Sequence, residues 1–249
     1  MKQAQSKYII LEKFVTRNRS HKLLKPIGVA IHETANPGAT AMNNYKYFNS
    51  GDRKALAHLF VDWTDKDYIV QLAPLNEQTW HAGSAKGNSS FISVEMCRPK
   101  TFNKEQFNIV WERTVWLCAY LFINEVKINK VTETNLMSHD EMRIKFGGTT
   151  HTDPTALFKE YGVNMSKFRQ AVQDEINIQL KGREDSYMVF KDESKIASWA
   201  KDSVMRVADL GLIKGDGNGN FNPKNPITRE EFAVVLDRLL TLQKKEGLK

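Results

Sequence analysis

Cysteine is scarce in this sequence: Cys97 and Cys118 are the only two among 249 residues, and both sit in apolar segments. That excludes a disulfide-built scaffold, and the pair is expected to be reduced core thiols. Long apolar runs are missing as well. No stretch approaches the ~18 apolar residues of a membrane-spanning helix. The opening MKQAQSKYIILEKFVTR offers one short patch, Tyr8–Leu11, where a secretory leader carries an apolar core of roughly 7–15 residues. The expectation is a chain kept in the cytoplasm unless another route lets it out. There is no basic block either. The net charge of +7 is spread along the chain, which argues against nucleic acid as a partner and suits a polyanionic polymer.

What is present suffices for a catalytic-sized domain and a small second one, with 41% hydrophobic and 26% charged residues. Strand-like runs fall at 27–31, 56–62 (LAHLFVD), 68–72 and 91–97 (FISVEMC), with a polar helical pattern near 40–49. Asn103–Val126 reads as one long amphipathic helix capped by Asn103, Asp153-Pro154 as another helix start, and Ser166–Leu180 as a closing helix. The class is α/β, a mixed central sheet flanked by helices. The polar stretch KGREDSY at 181–187 reads as a linker. Beyond it, Ile196–Leu210 and Thr228–Leu240 form two helices around a Gly/Asn/Pro-rich loop, the second opened by a Thr228–Glu231 capping box.

The run IGVAIHETANPG at 27–38 carries an apolar strand up to His32, just ahead of the turn Asn36-Pro37-Gly38. A histidine where strand gives way to loop is held on a rigid support, although a lone one there is more often a hydrogen-bonded structural residue. The chain has six histidines, and SHDEMRIKFGGTTHTDP at 138–154 supplies His139, His151 and Asp153. Two imidazoles and a carboxylate are a donor set zinc accepts while keeping a fourth place open. Taken singly, Asp153 also suits an N-cap before Pro154, and His139 a plain loop position. On the strand FISVEMC, Phe91, Ser93, Glu95 and Cys97 share one face, and Ile92, Val94 and Met96 form an apolar one. Glu95 is then either a surface residue or a buried carboxylate with work to do, such as that of a general base in metal-assisted hydrolysis.

The pieces GVAIHETANPGATA, AHLFVD, WHAG at 80–83, SVEMC, and SH followed by HTDP span about residues 15–175. Together they resemble the zinc-dependent type-2 N-acetylmuramoyl-L-alanine amidases, the family of peptidoglycan recognition proteins and of phage endolysins of Gram-positive hosts. The resemblance implies a catalytic domain over 1–180 that cleaves peptidoglycan between N-acetylmuramic acid and L-alanine. It also implies one Zn2+ on His32, His139 and Asp153, Glu95 as the catalytic glutamate, and His151 beside the developing oxyanion. Many relatives have cysteine where Asp153 stands and lysine where His151 stands, and Cys97 is the runner-up sulfur ligand. His58, Trp80, His81 and Asn36 are candidates for lining the substrate groove, His58 and the Trp80-His81 turn being equally open to structural roles. The competing class is a wall-binding protein without catalysis, and a bacterial autolysin is a further alternative.

The segment WAKDSVMRVADLGLIKGDGNGNFNPKNPITREEFAVVLDRLL resembles a single S-layer homology motif, implying a small helical cell-wall-binding module at 188–249. The implied ligand is a secondary cell-wall polysaccharide, with Arg229 at a helix head as its anion partner and Trp199 either stacking or filling the core. Such motifs come as three copies, and here Val204, Val207, Leu210, Phe232, Val235 and Leu236 would lack cover. A homo-oligomer through this module is expected, with docking of residues 188–240 on the amidase domain as the alternative and Met188 as a candidate internal start for free copies. The phage reading predicts residence in the cytoplasm of an infected host until a holin opens the membrane, and then at the cell wall.

Overall fold

A computed structural model describes residues 7–64, 68–186 and 190–245. The chain divides into two compact units, one spanning 7–179 and one from residue 180 onward. Met188 and Tyr187 lie outside the described residues.

The larger unit is built on six strands: β1 (Ile9–Glu12), β2 (Gly28–Glu33), β3 (Leu59–Val61), β4 (Tyr68–Gln71), β5 (Phe91–Met96) and β6 (Leu136–Ser138). They form one sheet in the order β1-β4-β3-β5-β2-β6. Every pairing is parallel except β3 with β4. All six residues of β2 are buried, as expected of a central strand covered on both faces. The helices are α1 (Ala41–Ser50), α2 (Ala85–Asn88), α3 (Lys104–Leu121), α4 (His139–Phe146), α5 (Thr155–Glu160) and α6 (Met165–Ser186). Helix α1 packs on β3 and β4, α3 on β3 and β5, and α4 on β2 and β6. Thr40 and Ser138 open α1 and α4 with reciprocal capping boxes, and the Asn103 side chain caps α3 through the Gln106 N–H.

The elements depart from the sequence reading where polar residues have tertiary partners. Strand β2 does not stop before His32 but runs through Glu33, whose carboxylate is paired with Arg98 at 2.6 Å. Strand β3 is shorter than 56–62, since Leu56–His58 precede it. Helix α3 ends at Leu121 and continues as one wider π-type turn, Phe122–Val126. Helix α6 carries on through Ser186, so residues 181–186 of the expected linker are helical. Lys181, Arg183 and Glu184 are good helix formers, and no proline interrupts them. Cys97 and Cys118 are buried free thiols.

In the smaller unit, a 3-10 turn at Glu193–Lys195 leads to α7 (Ser198–Asp209), and α8 spans Arg229–Lys245. Phe190, Ile196 and Ala208 make a small core, with Ala200, Val204 and Phe221 packed against it. The Asp192 carboxylate accepts the Phe221 and Asn222 N–H groups, and Asp216 accepts those of Asn218 and Asn220, so two aspartates organise the loop. The Thr228–Glu231 capping box forms as expected. No member of the apolar stripe is fully buried: Phe232 and Leu236 are 53% and 43% exposed.

Candidate metal centre

The parallel register of β2 and β5 sets His32 beside Glu95, and β3 puts Phe60 next in the row. Residues in register on neighbouring strands face the same way, so His32 and Glu95 share one face near the carboxyl ends of the parallel strands. His139 is the first residue of α4, directly after β6, which pairs with β2 on its other side. Asp153 ends the loop before α5. One sheet edge thus receives three groups far apart in sequence.

His32 Nδ1 lies 3.0 Å from His139 Nδ1 and 3.2 Å from Asp153 Oδ2, and His139 Nδ1 lies 3.0 Å from Asp153 Oδ1. These three residues form a group able to hold a metal ion. Zinc bonds of about 2.0–2.1 Å at tetrahedral angles put donors roughly 3.3 Å apart, so the spacing fits a small tetrahedral ion with little adjustment. Both histidines are buried. Burial pushes the His32 pKa down, against the pull of Asp153, which favours the neutral ring a metal needs. Burial would raise the Asp153 carboxyl, but hydrogen bonds from His139 and His32 outweigh it and hold the group well below the usual carboxylate range.

The loops around the cluster are tied down. Arg98 bridges Glu33, next to His32, and Glu160, at the end of α5, with Nη–Oε distances of 2.6 and 3.0 Å. The Glu33 N–H donates to Asp153 Oδ2 at 3.3 Å. Gly83 and Gly148, both at positive φ, pack back to back; a Cβ on Gly83 would stand 2.5 Å from the Gly148 carbonyl oxygen. Only glycine lets the WHAG turn and the loop leading to His151 approach this closely.

Glu95 opens onto a cavity of about 510 Å3 that is also lined by His32, His139, His151, Asp153, Asn36 and Trp80. Its Oε2 is buried without a hydrogen-bond partner among the described residues. Burial raises its pKa well above the usual range, and the charges of Asp153 and Glu33 add to the effect. His151 is 71% exposed at the rim, its ring stacked on His139 at 5.1 Å, with Nδ1 3.8 Å from Asp153 Oδ1. A second hollow of about 660 Å3 continues past Trp80, His81 and His151 toward Lys54, Asn88 and Thr149. Trp80, 40% exposed, borders both.

Two of the alternatives that the sequence leaves open lie away from the cluster. His58 does not line the groove: it is fully buried, Nδ1 accepts the Ser93 N–H at 3.0 Å, and Nε2–H donates to the Glu77 carbonyl at 2.7 Å. Cys97 is no ligand, because its Sγ lies in the core near Asn44 Nδ2, and burial drives its pKa well above the thiol range. The sequence reading missed the contact between His81 and His32 and the Glu33–Arg98–Glu160 bridge. The WHAG turn itself was the one available signal for the former.

Burial also lowers the His58 pKa, to about 4 from 6.5. The native state therefore resists protonation where the unfolded chain takes it up. This stability is present above pH 6.5 and is lost as pH falls toward 4. From pH 7 to pH 5 the loss should be about 2 kcal/mol, read by urea unfolding as acid sensitivity that His58→Gln lacks. Equal sensitivity in the two proteins would show that His58 is not its source.

With this geometry established, comparison with known proteins is informative. The family model for N-acetylmuramoyl-L-alanine amidase matches residues 22–156. The chain belongs to that amidase family. The match takes in His32, Glu95, His139, His151 and Asp153. A second model, the S-layer homology domain, matches residues 189–233, so the smaller unit carries such a domain. Protein Ami of Listeria monocytogenes is 34% identical over 154 residues, covering 60% of this chain and 16% of that protein. The endolysin of Listeria phage A511 is 30% identical over 166 residues, covering 65% and 48%. The chain thus spans less than half the length of these curated relatives. Among solved structures, Staphylococcus aureus hydrolase AmiA in complex with its ligand aligns with a TM-score of 0.61 at 20% identity, covering 70% of this chain and 85% of that one. The catalytic domain of XlyA aligns at 0.53 and 26%, covering 66% and 99%. Both contain the mixed sheet flanked by helices.

Proposed function

We propose that the chain is a zinc-dependent endolysin that hydrolyses the amide between N-acetylmuramic acid and the L-alanine of the stem peptide. The observation that carries this reading is the convergence of His32, His139 and Asp153 beside the unpartnered Oε2 of Glu95. His32, His139 and Asp153 hold the metal. Zinc, when bound, supplies Lewis acidity to the scissile carbonyl and to the attacking water. Glu95 takes the proton of that water and later gives it to the leaving amine of L-alanine. His151, at the rim, donates a hydrogen bond to the carbonyl oxygen as it gains negative charge. Trp80 and Asn36 border the cavity in which the glycan and peptide would lie on either side of the amide. On purified walls the activity should release new L-alanine amino termini. Reducing sugar ends without those amines would overturn the reading.

The smaller unit, in this proposal, anchors the enzyme to a secondary cell-wall polysaccharide. Arg229 is exposed at the head of α8, and Trp199 is 87% exposed, which favours a stacking role over a core one. Removing residues 188–249 should leave a zinc-loaded amidase active on soluble muropeptides but several-fold depleted in wall pull-down. Unchanged pelleting with walls would refute the anchor. The exposed apolar side chains Phe232, Leu236 and Leu240 support self-association through α8 of several copies. Light scattering should then report a multimer for the full-length protein, and a strict monomer would refute it. Among the described residues no helix is long and apolar enough to cross a membrane. The proposal puts the enzyme in the host cytoplasm until a holin admits it to the wall.

A further inference from the structure

We propose that His81 is a positioning residue for the metal centre: its Nδ1 accepts the proton of His32 Nε2 and so keeps His32 Nδ1 free to bind the ion. This rests on the proposed metal site and assigns a function to a side chain outside the ligand set.

A neutral imidazole carries one proton, on either nitrogen. His32 Nδ1 is the atom that faces His139 Nδ1 and Asp153 Oδ2. For it to bind a metal, the proton must reside on Nε2. That nitrogen is buried with the rest of the ring, and a buried N–H without an acceptor is costly. At 3.0 Å from it stands His81 Nδ1, the two rings crossing edge to face at 84° with centroids 5.1 Å apart. In the opposite arrangement His81 would donate, the His32 proton would move to Nδ1, and the ligand atom would be blocked. One hydrogen bond thus selects between a metal-competent and a metal-incompetent form of His32.

His81 differs from the ordinary buried histidine of this fold. His58 satisfies both ring nitrogens, whereas His81 Nε2 makes no close hydrogen bond among the described residues and has the Phe91 backbone to face its proton, so the contact with His32 is the one close hydrogen bond its ring makes. Its backbone is fixed independently. The N–H groups of His81 and Ala82 both donate to Asn88 Oδ1, at 3.0 and 2.8 Å, and the turn that follows is locked by the Gly83–Gly148 approach. The ring is therefore held against His32 by a rigid turn. His139 has no equivalent among the described residues, where its Nε2 is unpartnered, and His32 is the ligand whose proton placement is controlled.

The test measures zinc affinity of the full-length protein by competition with a chromophoric chelator, for wild type, His81→Phe and His81→Gln. Phenylalanine keeps a planar ring and removes the acceptor; glutamine restores an acceptor oxygen. His81→Phe should weaken zinc binding by about 10- to 100-fold, and His81→Gln should recover most of the loss. Nitrogen-detected histidine NMR of metal-free wild type should find His32 protonated at Nε2, with that preference lost in His81→Phe. Wild-type affinity in His81→Phe, or a His32 proton on Nδ1 in the metal-free wild type, would overturn the proposal. If His81→Phe does not fold, a His81→Gln protein with affinity far below wild type overturns it equally, because the acceptor is retained. A wild-type protein that binds no zinc would instead overturn the metal-centre reading itself.

Discussion

Replacing Glu95 by glutamine should lower amide cleavage by about 1,000-fold or more while leaving the zinc content of the protein unchanged. The carboxyl stands in register with His32 across β5 and β2, yet it is not among the three converging donors. Its Oε2 is buried and unpartnered, and burial together with the charges of Asp153 and Glu33 raises its affinity for a proton. Such a group can take a proton from water and return it to an amine, which glutamine of nearly the same volume cannot do. His32→Ala should differ in kind, losing zinc and activity together. Zinc per protein by elemental analysis and the rate of L-alanine amine release would be measured on both variants. Near-normal turnover in Glu95→Gln would remove it as the base, and loss of zinc there would make it a ligand.

The apolar alternation of 27–31 and 91–97 was sufficient to place β2 and β5, because buried central strands are written in the side chains that fill both faces. It could not extend β2 over His32 and Glu33, whose burial depends on Asp153, Arg98 and His139, partners more than sixty residues away. The polarity of 181–186 reads as a linker, although polar residues with high helix propensity propagate a helix that is already nucleated. At the site, spacing alone left Asp153 open to a capping role. The structure starts α5 at Thr155 with Pro154 at the N-cap, which frees the Asp153 carboxylate to face the two histidines. Glu95 could be placed on a strand face from its own segment, but whether that face met solvent depended on strands β2 and β3. His81 is legible only as part of the WHAG turn: its partner is one ring nitrogen of another histidine, and no periodicity encodes that.

Zinc at about 1,000 times its dissociation constant should raise the unfolding free energy by about 4 kcal/mol, and chelation should remove that increment. The donors come from β2, the first residue of α4 and the loop before α5, with 107 and 121 residues of chain between the paired groups. An unfolded chain cannot hold them together, so binding energy becomes folding energy. The sign with pH follows from the same groups. His32 must be neutral to bind, and burial lowers its pKa, so zinc-dependent stabilisation should persist below the ordinary histidine range and fade as pH falls through that lowered value. Asp153, whose folded pKa is depressed, contributes stability that is present above the ordinary carboxylate range and is lost only as pH falls through its lowered value. Metal-free protein should therefore keep the Asp153 contribution at pH 5. Asp153→Ala should abolish the zinc increment at neutral pH, and Asp153→Cys, which restores a ligand zinc accepts, should bring much of it back. Chemical unfolding with and without chelator at pH 7.5 and pH 5 would measure all four quantities. Equal stability of the wild type in both at pH 7.5 would show that the three side chains do not gather an ion.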